Sequence, residues 1–199
     1  MTFEAITRLR LREAFANIQK FSECNSDEDL LNELFEHSNK GTLFVHDDAD
    51  KGHSVYVQDT KGLGRDKVFE AKNTKHRDVF LFHIDGVLFS KDSKCDCAVL
   101  TEKEMNFIEF KANAANDTPK AIETNYQKAS DQLLQTINEV SQRCQTEGIE
   151  LTNMVKAAAF AVFNRTVPRN DALRKKISAK FLQDTGTIKL QFTNKTTLQ

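Results

Sequence analysis

The chain has 199 residues, 39% of them hydrophobic and 29% charged, with 7 Gly and 2 Pro. That is too much apolar material and too few breakers for a disordered polypeptide, and the length suits one domain better than two. Lys and Arg number 28 against 29 Asp and Glu, a formal charge of −1, which excludes a global basic field, so any grip on nucleic acid must come from a local patch.

Residues 2–21 place Phe3, Ile6, Leu9, Leu11, Ala14, Phe15, Ile18 and Phe21 at mostly helical steps, predicting a first helix. Ser26 before Asp27-Glu28-Asp29 is an N-cap with acids in the first turn. It predicts a second helix through Leu30, Leu31, Leu34 and Phe35 until Asn39-Lys40-Gly41 stops it. Two strand-like runs, Thr42 to His46 and Ser54 to Gln58, predict a hairpin, with loop filling the rest of 42–78. Residues 79–90, 95–100 and 105–111 are dense in β-formers at hairpin spacing and predict three consecutive antiparallel strands.

After Pro119, the residues Ile122, Tyr126, Ala129, Leu133, Ile137, Val140 and Cys144 form one apolar stripe on a long helix that Gly148 ends. Val155 to Phe163 is almost continuously apolar, as an interior strand covered on both faces should be. A basic helix, Ala172 to Phe181, and a strand, Thr187 to Thr193, follow. The expected fold is a single α/β domain over 1–199: a mixed central β-sheet flanked by helices, with an α-β-β-β-α-β core. N-terminal helices occupy 1–40, the core 79–163 and a C-terminal helix-strand extension 171–193. Met1 to Arg8 hold no signal-peptide core and nowhere do 18 uncharged apolar residues run together, so a soluble cytoplasmic protein with no membrane partner is expected, its four cysteines (Cys24, Cys95, Cys97, Cys144) reduced.

The chemistry concentrates between Lys94 and Lys111. Strand alternation puts Asp96 on one face with Ala98 and Leu100, and Cys95, Cys97 and Val99 on the other; Glu109 and Lys111 share a face opposite Ile108 and Phe110. A turn centred between Glu102 and Lys103 sets residues whose numbers sum to 205 across from each other, so Asp96 faces Glu109. Carboxylates opposed at roughly 5 Å are destabilising unless a cation or water stands between them. Mg²⁺ is bound by one or two carboxylates and keeps several waters, which suits the pair. Lys111, one pleat further on, is placed to orient or deprotonate an activated water or to stabilise charge on a phosphate.

Asp96, followed about a dozen residues later by Glu109-Phe110-Lys111 on the next strand and then by a long helix, resembles the PD-(D/E)xK (restriction-endonuclease-like) nuclease superfamily. Asp96 matches its first acid and Glu109 and Lys111 its second acid and lysine, while Cys95 stands in place of the motif's proline. The elements from about residue 27 to 163 run in the order of that superfamily's core, so the resemblance covers most of the chain. It implies hydrolysis of nucleic-acid phosphodiester bonds, DNA ahead of RNA, with Mg²⁺ as cofactor and Mn²⁺ as its substitute, by a chain working as a homodimer or with a partner protein. It further implies a metal-site acid from the preceding helix, with Glu33 and Glu36 as candidates, and a supporting Lys or Gln on the following helix, matched by Lys128 and Gln132. The alternative is a non-catalytic protein of this fold serving as a binding or assembly subunit.

The basic run Arg165, Arg169, Arg174, Lys175, Lys176 and Lys180 is the candidate nucleic-acid grip, weighed against a solvated helix face. His46-Asp-Asp-Ala-Asp-Lys-Gly-His53 fails as a calcium loop, because Ala49, Lys51 and Gln58 fall on ligand positions, and reads as a polar turn. Cys95 and Cys97 lack two further zinc ligands and read as buried small residues. Gly62-Leu-Gly64 lacks the third glycine of a phosphate-binding turn and reads as a loop, and His83 reads as an interior residue.

Overall fold

The computed structural model describes residues 14–15, 27–63, 67–88, 94–111, 118–150, 155–163 and 170–199. In chain order these form α1 (Asp27–Leu34), β1 (Phe35–Ser38), β2 (Thr42–Asp48), β3 (His53–Val57), β4 (Val68–Lys72), β5 (Val79–His83), β6 (Cys97–Leu100) and β7 (Glu104–Lys111). Then come α2 (Pro119–Thr146), β8 (Lys156–Phe163), α3 (Asp171–Thr185), β9 (Lys189–Gln191) and β10 (Lys195–Thr197). The strands make two mixed sheets, ordered β1-β5-β6-β7-β8-β9 and β10-β4-β2-β3. In the first, β1 to β7 pair antiparallel and β7, β8 and β9 parallel. A parallel pair needs a crossover, and α2 supplies it between β7 and β8.

The fold is thus mixed α/β, with α1, β5, β6, β7, α2 and β8 in the expected core order. The described helices pack on one face of the first sheet, where Phe15, Leu34, Tyr126, Leu133 and Phe181 share a core with Phe80, Phe82, Leu100 and Phe107. The other face meets the second sheet, with Leu43, Val45, Phe69 and Ala71 packed on Leu81, Cys97, Val99, Ile108 and Phe160. Flanking by helices therefore holds for one face, and strands cover the other. Burial from both sides explains why β5 and β6 are buried at every position and carry no polar alternation.

The stripe predicted on the long helix is buried at all seven positions. Thr118 caps its start, its side chain accepting from Ala121 N–H, and Pro119 opens the first turn. At its end Ile149 N–H reaches Cys144 O (2.8 Å) and Gly148 N–H reaches Gln145 O (2.9 Å), so left-handed Gly148 (φ 69°) closes two orphan carbonyls. The predicted interior strand is β8, with Ala159 and Ala161 in one core and Phe160 and Val162 in the other.

Other segments differ from expectation. The second helix stops at Leu34, and Phe35–Ser38 form β1 instead, pairing with β5. Phe35 stacks on its ladder partner Phe82 at 4.9 Å, and His37 bonds Asp78 at 2.7 Å; these long-range contacts outweigh local helical preference. The hairpin in 42–78 is β2–β3, its turn closed by Asp48 Oδ1 accepting from Asp50 and Lys51 N–H. The loop assigned beyond it contains β4, whose partner β10 lies at the far end of the chain. Pairing in β5 ends at His83, and residues 89–93 lie outside the described ones. Of the first predicted helix, only Ala14 and Phe15 are described; both are helical and buried, Phe15 lying 5.3 Å from the Phe82 ring.

His83 is an interior residue, as expected. It is buried on β5, its ring 4.8 Å from that of His53 on β3 and its Nδ1 without a partner. Burial first, and the neighbouring imidazole second, hold its pKa down at about 4 against 6.5. The unfolded chain therefore takes up this proton first, and stability present above pH 6.5 is lost as pH falls through about 4, a change of about 3 kcal/mol for this group. His83→Phe, which keeps a ring and removes the titration, should flatten the pH dependence of urea-denaturation stability between pH 6.5 and 4. An equally steep fall in the variant would contradict this assignment.

Candidate active site

The site begins with the β6–β7 hairpin. Thr101 N–H donates to Glu104 O (2.9 Å), and Thr101 Oγ1 accepts from Lys103 and Glu104 N–H. The turn fixes the register Leu100↔Met105, Val99↔Asn106, Ala98↔Phe107 and Cys97↔Ile108, every pair summing to 205 as the turn position predicts. Continued by one residue, this register puts Asp96 across from Glu109. The ladder itself shifts there: Asp96 N–H donates to Ile108 O (3.1 Å), and Asp96 Oδ2 accepts from Phe110 N–H (2.5 Å).

The shift corrects one expectation. Cys95 and Cys97 do not share a face: Cys95 turns into the helix-side core and Cys97 stays between the sheets. The reason is a tether from α2, whose Thr136 Oγ1 accepts from Cys95 N–H (2.8 Å) while donating to Gln132 O (2.8 Å). Both thiols are fully buried, and burial pushes both well above the ordinary thiol range, so they are protonated and unsuited to metal.

Glu109 and Lys111 continue the row of Phe107, which faces α2, and Asp96 stands where the ladder shifts, its carboxyl bonded to Phe110 N–H. Lys111 Nζ donates to Glu109 Oε1 and to Gln132 Oε1, and Gln132 Nε2 donates to Lys94 O (3.0 Å), which fixes the amide's orientation. Gln132 thus joins the site. Lys128, one turn earlier, is exposed and bonds to none of these groups. The helix acids are not brought to the site: Glu33 is exposed on α1, and Glu36 lies on β1 with Oε2 accepting from Tyr56 N–H (3.1 Å). Ending the helix at Leu34 redirects Glu36 toward the second sheet.

Two acids that sequence reasoning passed over stand nearer. Asp47 of β2 and Asp85 after β5 both raise the Glu109 carboxyl, and Asp47 also raises Asp96. Asp47 was hidden in a segment that reads as a turn, and Asp85 in one that reads as a strand; an acid followed by Gly86 at the end of an apolar run was the available signal.

Glu109 is 1% exposed, and its Oε2 is buried without a partner. Burial raises its pKa to about 7, against the downward pull of Lys111. Asp96 is pushed well above the carboxylate range by burial first and by Glu109 second. An orphan buried carboxylate oxygen beside a second carboxylate is a site short of a cation. The donors are oxygens, which fits Mg²⁺ or Mn²⁺ and not zinc. Among the described residues no three His, Cys, Asp or Glu side chains are already gathered around one point, so such an ion would take two protein ligands and keep waters.

Of the basic run, Arg165 and Arg169 lie outside the described residues. Arg174 is corrected from an open phosphate grip to a packing residue: Nε donates to Tyr126 Oη (2.9 Å), and the guanidinium stands 5.1 Å from the Tyr126 ring and 5.4 Å from that of Phe192. Lys175 and Lys176 are exposed, and Lys180 pairs with Asp184 at 2.5 Å. Residues 64–66 of the predicted glycine loop lie outside the described ones. No helix among the described residues is long and apolar enough to cross a membrane. No protein-family model, curated protein or solved structure matches the chain.

Gly86 holds the outer acids in place. It has φ 72°, and a Cβ there would lie 2.2 Å from Gly52 O, so the loop carrying Asp85 and the β2–β3 turn touch backbone to backbone. Gly86→Ala should cost about 2 kcal/mol or more in urea denaturation, combining left-handed strain with the clash. Gly148→Ala, with a similar φ but nothing within 4 Å, should cost about 1 kcal/mol. Equal costs would mean that the two loops are not in contact.

Proposed function

We propose that the chain is a metal-dependent nuclease of the PD-(D/E)xK superfamily, hydrolysing phosphodiester bonds of nucleic acid, DNA ahead of RNA. The observation that carries this reading is the convergence of Asp96, Glu109, Lys111 and Gln132 from two strands and the following helix, with the Glu109 Oε2 unpartnered. The order α1-β5-β6-β7-α2-β8 supports it. The buried, reduced thiols suit a cytoplasmic setting.

In this reading Asp96 and Glu109 hold Mg²⁺, which when bound polarises a phosphoryl oxygen and acidifies a water. The Lys111 ammonium, held between Glu109 and Gln132, orients the attacking water and meets charge growing on the phosphate. Gln132, anchored on Lys94 O, keeps that ammonium from swinging into solvent. Lys175 and Lys176 on α3 supply exposed cations for the phosphate backbone. The absence of three gathered ligands among the described residues favours a second reading, a non-catalytic binding subunit of the same fold.

Cleavage of plasmid, single-stranded DNA and RNA in Mg²⁺ or Mn²⁺ separates the two. Asp96→Asn, Glu109→Gln and Lys111→Met should each lower the rate by about 100-fold or more, and Gln132→Leu by about 10-fold, with circular dichroism unchanged. No cleavage by the wild-type chain, or equal cleavage by all four variants, would refute the nuclease.

A further inference from the structure

The acids on the outer side of the site remain without a role in that scheme. Asp47 follows Leu43 and Val45 in the row of β2 that faces the first sheet, so it extends the inter-sheet core to the end where Cys97 begins β6. Asp85 is tied to the same place from the other direction, its N–H donating to Asp96 O (3.2 Å). The Gly86–Gly52 contact locks the two carriers together. Both side chains are solvent-accessible, whereas Glu109, whose carboxyl feels both charges, is buried with Oε2 unpartnered.

We infer that Asp47 and Asp85 form an outer carboxylate pair that accepts hydrogen bonds from the water shell of a divalent cation held by Asp96 and Glu109. The inference rests on the metal site proposed above and adds two acids to it, Asp85 from the segment after β5 and Asp47 from the second sheet. Three features support it. Mg²⁺ and Mn²⁺ bound by two carboxylates keep several waters, and those waters need acceptors. The two acids are not gathered with Asp96 and Glu109 into a ready ligand set, which suits contact through water better than direct ligation. Glu109 bonds Lys111 through Oε1 and keeps Oε2 buried and unpartnered, so a carboxylate oxygen is left for a further positive group. Asp47 and Asp85 are accordingly positioning residues: they set how tightly the ion is held and how its waters are aimed.

Calorimetric titration of the full-length chain with MnCl₂, without nucleic acid, tests this apart from activity. Asp47→Asn and Asp85→Asn should each weaken Mn²⁺ binding about 10–100-fold. Asp50→Asn, which removes an equal charge from the exposed hairpin turn, should change it less than about 2-fold, and the metal-free melting temperature should stay within a few degrees in all three. Wild-type affinity in Asp47→Asn and Asp85→Asn, with binding lost in Glu109→Gln, would overturn the outer pair and leave the proposed nuclease site standing. Weakening by Asp50→Asn equal to theirs would reduce the effect to general charge and also overturn it. No Mn²⁺ binding by the wild-type chain would remove the metal site itself.

Discussion

The structure turns on two carboxylates, Asp96 and Glu109, brought close at the end of the β6–β7 hairpin where the ladder shifts. Ionised together in so buried a place they repel: burial first and Glu109 second raise the Asp96 carboxyl. The protein does nothing to separate them: a tight hairpin fixes the register as far as Cys97, and Phe110 N–H clamps Asp96 where the ladder shifts. It relieves the repulsion by placing Lys111 on Glu109 and by shifting both acids toward protonation. A fold selected for stability alone would fill these positions with apolar residues, as all of β6 does; keeping the pair points to work done on something bound there.

Both layers around the first sheet serve that arrangement. On one face α2 carries Gln132 and Thr136 to the strand start, where they hold Lys94 O and Cys95 N–H and so impose the shift that lets Asp96 reach Phe110. On the other face the second sheet brings Asp47, and the Gly86–Gly52 contact sets its distance. The central strands β5, β6 and β7 are packed from both sides, and a fixed scaffold is what an ion site with few protein ligands needs.

What could be read from the sequence was what local periodicity and turn position determine. The stripe on α2, the apolar run of β8 and the sum of 205 across the β6–β7 hairpin all follow from spacing, whereas Gln132 came from the family resemblance, which offered Lys128 beside it. What escaped depends on distant partners. Phe35–Ser38 carries helix-compatible spacing and becomes a strand through Phe82 and Asp78. β4 gains its identity from β2 and from β10, more than 120 residues on. Asp47 and Asp85 acquire meaning when two loops touch at glycines, and the turn of Cys95 away from Cys97 is caused by a threonine 41 residues later. Arg174 looks like a free cation in sequence because Tyr126 and Phe192 lie far from it along the chain.

The central claim is that the two acids are a cation site and not merely a strained ion pair with Lys111. Anomalous diffraction at the manganese edge from crystals grown with MnCl₂ tests it most directly. The account predicts one peak between Asp96 and Glu109, with Glu109 Oε2 as a ligand. An empty site at saturating Mn²⁺, with Glu109 Oε2 still unpartnered, would contradict it.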